Sequence, residues 1–300
     1  MMRKKTLLLT TILLSLFLTT SAQQKFTVGS LGYMLSPGNT YADTNLKSNI
    51  GYFTGVLTVP LKLNEKTALL TGLRGNLWSV KYNPKEFWPE NYYSLGLTLG
   101  VNHKFSDKNS FLFVLLPKLN SDFKELNSNA FQLGFISTWS HRVNDDFLWK
   151  AGLYYNSEFF GPFFVPIFGL DWQLNEKWKI KGDLPIYVNI DYGINKDFSL
   201  GLGYIALVSS FRLSGDFQDA YTSRFAIEPY LFADVKVVKN VYLNGKLGYT
   251  MGRKYPVYAR DDKMDWQLMF MKFGDDRTQL NSSIDEGLFL EFTLSYKVDI

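Results

Sequence analysis

Cysteine is absent from the 300 residues, histidine occurs only twice, and outside the first 22 residues the longest apolar run is Phe111–Leu116. Without cysteine there is no disulfide scaffold, no thiolate metal site and no lipidated cysteine to act as an anchor. Without a run of roughly 18 to 20 apolar residues there is no membrane-spanning helix. His103 and His141 each lie just before a polar turn, and strand parity puts both on the outward face. That position suits neither a general base nor, for two histidines on separate strands, a transition-metal site. A large net charge is also missing. Of the 32 lysines and arginines, three (Arg3, Lys4, Lys5) precede the leader's apolar run, which leaves 29 against 28 acidic residues in the remainder. That balance gives no reason to expect a nucleic-acid or other polyanionic partner.

The first residues are rich in pattern. Met1–Lys5 is basic, Thr6–Leu18 is apolar apart from threonine and serine, and Thr20-Ser21-Ala22 is small. This is the form of a secretory signal peptide, residues 1–22, leaving residues 23–300 as a single domain with no linker.

The clearest pattern in that domain is its last. Leu288, Leu290, Phe292, Leu294, Tyr296, Val298 and Ile300 alternate with Glu291, Thr293, Ser295, Lys297 and Asp299, and Phe289 is the one exception. Period two places one set toward hydrocarbon and the other toward water. About 13 residues rising about 3.3 Å each, when tilted, cross an apolar layer about 25 Å thick. The same alternation recurs at Tyr93–Asn102 and Phe131–Ser140, and more weakly around Leu69–Leu77, Phe225–Lys236 and Val241–Leu247.

Turns are uneven. Short polar reversals stand at Asn64-Glu65, Asp107-Lys108, Asn144-Asp145, Asn175-Glu176, Asn195-Lys196 and Lys239-Asn240, whereas Tyr82–Asn91, Asn120–Asn127 and Ser214–Thr222 are longer. Short turns on one rim and long loops on the other predict an all-β, transmembrane antiparallel meander barrel of about 12 to 14 strands, with 14 preferred. Fourteen requires Lys177–Ile194 to hold two short strands, with a tight reversal at Gly182-Asp183.

With the leader, the alternation and the turns in place, the chain resembles the small outer-membrane β-barrels common in Bacteroidota. More narrowly it resembles an uncharacterised porin-like family, on the strength of Leu57-Thr58-Val59-Pro60 and Asp183-Leu184-Pro185. The resemblance implies export to the cell outer membrane, contact with outer-membrane lipid and lipopolysaccharide, and recognition of Leu288–Ile300 by barrel assembly machinery. It implies no activity and no cofactor.

By parity the polar interior contains Arg74, Lys104, Arg142, Lys150, Asp171, Lys181, Asp191, Glu228, Asp234, Lys236, Lys246, Glu291 and Lys297. Mixed signs suit a wet channel or a lumen crossed by ion pairs. The long segment Arg253–Glu286 combines Asp261, Asp262 and Asp265 with Trp266, Phe270 and Phe273, too much apolar surface for a free loop. The expectation is that it folds into the mouth and constricts the lumen, its aspartates facing basic positions such as Lys246 and Lys297. A channel for small or hydrophobic solutes is the first functional reading. A structural or surface-interaction barrel is the alternative, and a barrel enzyme a distant third.

Overall fold

The short polar turns owe their shape to asparagine. Asn64 Oδ1 accepts from the backbone N–H of Lys66 and Thr67 at 2.9 Å each, and Asn175 Oδ1 does the same for Lys177 and Trp178 at 3.0 Å. Asn144 and Asn195 cap their turns in the same manner through the N–H of Asp146 and Asp197. These Asx turns reverse the chain in a few residues at little cost in exposed polar backbone. The likeness of Leu63–Lys66 to Leu174–Lys177 is thus shared turn chemistry.

The computed structural model describes residues 25–40, 47–83, 88–125, 128–281 and 286–299. The proposed leader and Ile300 lie outside them. The strands are β1 (Lys25–Thr40), β2 (Lys47–Lys62), β3 (Thr67–Asn83), β4 (Asn91–Lys104), β5 (Asn109–Ser121), β6 (Phe131–Arg142) and β7 (Phe147–Glu158). They continue as β8 (Gly161–Gln173), β9 (Trp178–Leu184), β10 (Tyr187–Asn195), β11 (Phe198–Arg212), β12 (Ala220–Val238) and β13 (Val241–Lys254). Three short strands follow, β14 (Val257–Ala259), β15 (Trp266–Leu268) and β16 (Met271–Phe273), and then β17 (Gly287–Asp299).

Each strand from β1 to β13 pairs antiparallel with the next, β13 pairs with β17, and β17 pairs with β1. The fourteen long strands therefore close into a meander barrel, and β14–β16 belong to the segment between β13 and β17. Closure leaves no open edge around the short-turn half of the ring, where the backbone is satisfied strand to strand. The interval after Lys177 does hold two strands, but the chain reverses at Pro185-Ile186, with Ile186 N donating to Asp183 O at 2.8 Å, rather than at Gly182-Asp183. The other rim is not uniformly long either, because β7 and β8 are joined by Phe159-Phe160 alone.

The outer wall is apolar. Leu73, Leu97, Leu133, Leu202, Leu231 and Phe292 are each 42–62% exposed. His103 and His141 face the same way near the short-turn rim, bonded to Thr67 and Asn109. Phe289, the exception to alternation in β17, turns inward and is 1% exposed, packed with Met34, Tyr230 and Phe232. Glycine makes room for it: a Cβ at Gly248 would run into the Phe289 ring. Gly201 likewise accommodates the ring of Phe232, and Gly203 that of Tyr230.

Candidate functional site

The inward faces divide the lumen into two halves. Toward the short-turn rim they are charged, and the charges pair across neighbouring strands: Lys179–Asp171 at 2.9 Å, Lys150–Asp183 at 3.0 Å, Lys297–Asp234 at 2.8 Å and Lys246–Glu291 at 2.8 Å. Lys236 reaches Asp197 at the rim, 3.6 Å away. Arg74, Arg142, Lys181 and Asp191 form no ion pair among the described residues, and Arg74 is exposed to the lumen. Tyr230 donates to Asn189 at 2.8 Å, and the Lys246 ammonium lies 4.7 Å from its ring centroid. This half is a polar vestibule in which the named positive groups outnumber the negative ones.

Toward the loop rim the lumen is packed. One apolar cluster joins Ile50, Trp78, Val80, Tyr92, Phe211 and Leu213 to Tyr255 and Val257; a second joins Phe159, Phe160, Phe163, Val165 and Tyr221 to Tyr258 and Met264. The segment after β13 therefore enters the mouth through Tyr255, Val257, Tyr258 and Met264. Polar groups are sealed in with it. Arg224 pairs with Glu228 at 2.7 Å, so Glu228 stands in the packed layer and not on open water. Arg253 donates to Ser36, Asn39 and Thr250. Glu158 accepts from Ser210 at 2.5 Å, Gln132 at 3.2 Å and Lys118 at 3.4 Å, and also from Asn156. These bonds order the layer, although Arg224 Nη1 and Trp78 Nε1 are buried in it without a hydrogen-bond partner among the described residues.

The residues expected to form the constriction are placed otherwise. Trp266, Phe270 and Phe273 are 39%, 71% and 38% exposed, with the Trp266 and Phe273 rings stacked at 3.9 Å in the β15–β16 hairpin. Lys246 and Lys297 are taken by Glu291 and Asp234, not by the loop aspartates. Asp261 and Asp265 are exposed, while Asp262 accepts from Thr278 N at 2.8 Å. The hairpin is tied to the loop by Arg277, which grips Asp275 bidentately at 2.6 and 3.1 Å and donates to Tyr221 at 3.1 Å. This grip holds the Asp275 carboxyl well below the usual carboxylate range and raises Arg277 further.

Residues 20–297 match the family model described as Domain of unknown function (DUF6268). The chain belongs to that family. Among curated proteins none matches it. This DUF6268 barrel is similar to an outer membrane channel of Pseudomonas putida F1, at 9% identity and a TM-score of 0.50, over 91% of this chain and 95% of that one. It is also similar to the P. putida toluene transporter TodX (10% identity, TM-score 0.37, 92% and 89% covered) and to the NanC porin (11%, 0.38, 90% and 99%). At 9% identity the likeness to the P. putida F1 channel is one of fold alone.

Parity alone placed the vestibule charges of the DUF6268 barrel on one face, because a strand's period is blind to distance along the chain. It did not reveal the bonds of Arg224, Arg253, Glu158 or Gln132, which join same-strand partners such as Glu228 to partners from elsewhere such as Tyr255, Asn39 and Ser210. Their nearest sequence signal is charge or amide interrupting an otherwise apolar strand end.

Proposed function

We propose that this chain is an outer-membrane channel for small or hydrophobic solutes, closed at its outer end by the segment that follows β13. One arrangement carries the reading: inward charges toward the short-turn rim stand below a packed layer built partly from Tyr255, Val257, Tyr258 and Met264. A wall built only for mechanical or surface roles has no need of a charged interior behind an apolar seal. The apolar girdle and the leader support an outer-membrane location, with the short turns toward the periplasm. Lipid, lipopolysaccharide and the assembly machinery, acting through Leu288–Ile300, are the partners that go with it. The channel named in the similar P. putida F1 structure agrees with the reading, and no catalytic role is proposed.

Single-channel conductance of the refolded protein is the test. Deleting Val257–Met264, which takes Val257, Tyr258 and Met264 out of the packed layer, should raise conductance while leaving heat-modifiable migration intact. If intact and deleted proteins are equally silent, the filled upper lumen favours the alternative, a structural or surface-interaction barrel.

A further inference from the structure

The wall itself is incomplete on one side. β9 pairs with β8 only up to Phe168↔Leu184, and β10 pairs with β11 only up to Tyr187↔Ile205. Above the Pro185-Ile186 turn, residues 161–167 of β8 and 207–211 of β11 are left with no barrel strand between them. The shortfall falls within the membrane. A strand of seven residues rises about 23 Å, or about 18 Å when tilted by about 40°, against an apolar band about 25 Å tall.

The β8 side of this gap has the chemistry of a true edge. Phe160 O and Phe164 O accept from Met264 N and Met269 N at 2.9 Å each, so even-numbered positions of β8 point their backbone groups into the gap. Pro162 and Pro166 occupy two of those positions and have no N–H to offer. Proline is tolerated in a sheet where no neighbour asks for a donor. What fills the space is borrowed from the loop: β15 pairs parallel with β8 through Gln267↔Phe163 and Leu268↔Phe164, and β16 pairs with β15. Among the described residues β16 has no strand partner on its far side. Between the hairpin and β11 the packed residues include Met264 and Met269 from the loop, Ile186 from the turn and Val208 from β11, in one cluster with Phe163 and Val165 of β8. The hairpin's outer surface, Trp266, Phe270, Met271 and Phe273, is exposed and apolar.

We propose that the β15–β16 hairpin is a side gate, and that small uncharged apolar molecules exchange between the membrane interior and the lumen through the seam between the hairpin and β11. The proposal rests on the channel reading for the lumen that the seam serves. Its physical basis is asymmetry of attachment. Most of the described wall is held by ladders on both sides, whereas the hairpin is held by a short ladder to β8 and by the Arg277 clamp at its base. A region with few backbone bonds and mobile-type fillers such as methionine opens at lower free energy than the ladders around it.

The absence of native cysteine makes the test direct. Val208→Cys, on the β11 side of the seam, is reconstituted in phospholipid vesicles and offered either pyrene maleimide dissolved in the bilayer or a charged, membrane-impermeant stilbene maleimide in the water. Ile186→Cys serves as a second reporter, and the lipid-facing Phe168→Cys shows that the bilayer reagent is delivered. Heat-modifiable migration shows that each variant is folded. The expected result is labelling of the seam cysteines by the lipid-borne reagent alone, faster when Met269→Ala is added. Absence of labelling at both reporters, or equal labelling from the water, overturns the gate. Conductance measured on the same preparations separates the two readings. Conductance without seam labelling leaves the channel standing and removes the gate, while labelling without conductance retains the opening and removes the channel.

Discussion

Arg224 and Glu228 face each other across 2.7 Å with side-chain exposures of 1% and 4%, four residues apart on the same inward face of β12. The Arg224 guanidinium also donates to Tyr255 at 3.2 Å, tying the segment after β13 to the barrel wall. Removing one partner leaves a charge stranded in a layer that has no water to solvate it.

Glu228→Leu is therefore expected to destabilise the barrel by about 3 to 5 kcal/mol, whereas Arg224→Met combined with Glu228→Leu should cost far less. Urea titration followed by heat-modifiable migration measures both. A double variant as weak as the single one would show that the pair's hydrogen bonds, not the stranded charge, dominate.

Leu97 and Thr98 are neighbours on β4 with opposite fates, Leu97 being 46% exposed on the outer wall and Thr98 inward. Leu97→Arg should cost about 2 to 4 kcal/mol if it sits near mid-membrane, and Thr98→Arg much less. Refolding into bilayers at graded urea gives the two values, and equal sensitivity would reverse the assigned parity.

Gly248 lies under the Phe289 ring, with the Pro229 carbonyl 2.5 Å from where a Cβ would be. Because the second obstacle is backbone, it has little room to yield. Gly248→Ala should cost about 1 to 3 kcal/mol, partly restored by Phe289→Leu. Thermal loss of the compact gel form is the readout.

The Asp275–Arg277 clamp gives a pH dependence of definite sign. Bonding to Arg277 lowers the Asp275 pKa in the folded protein, with further help from Lys272. A depressed carboxylate contributes stability that is complete above its ordinary value near 3.8 and is lost as pH falls toward the folded value. The hairpin should thus become susceptible to an acid-active protease below about pH 4. Asp275→Asn should be susceptible at neutral pH and show little further change on acidification.

Much of the barrel was readable from period two and from asparagine in the turns, because both are local. The strand count of fourteen came from the same source, even though the reversal at Pro185-Ile186 stands a few residues beyond the expected one. Phe289 broke the pattern for a reason that only packing supplies, the glycine on the neighbouring strand. The long segment's apolar content did signal that it is no free loop. Which of its residues enter the mouth was not legible, since Tyr255 and Met264 differ from Trp266 and Phe270 in what they meet, not in what they are. The parallel pairing of β15 with β8 joins positions about a hundred residues apart and leaves no mark in either segment.

β17 is hydrogen-bonded on one side to β13 and on the other to β1, from Lys25↔Asp299 to Leu35↔Leu290. Nearly every other seam joins chain neighbours and needs only a small loop to form. The entropy of bringing distant parts together is therefore concentrated in one step, which fixes the order of assembly. Until that step a thirteen-strand ribbon with two free edges must be shielded from other ribbons, and a chain that loses these last residues is left as a sheet with nothing to join but its own kind.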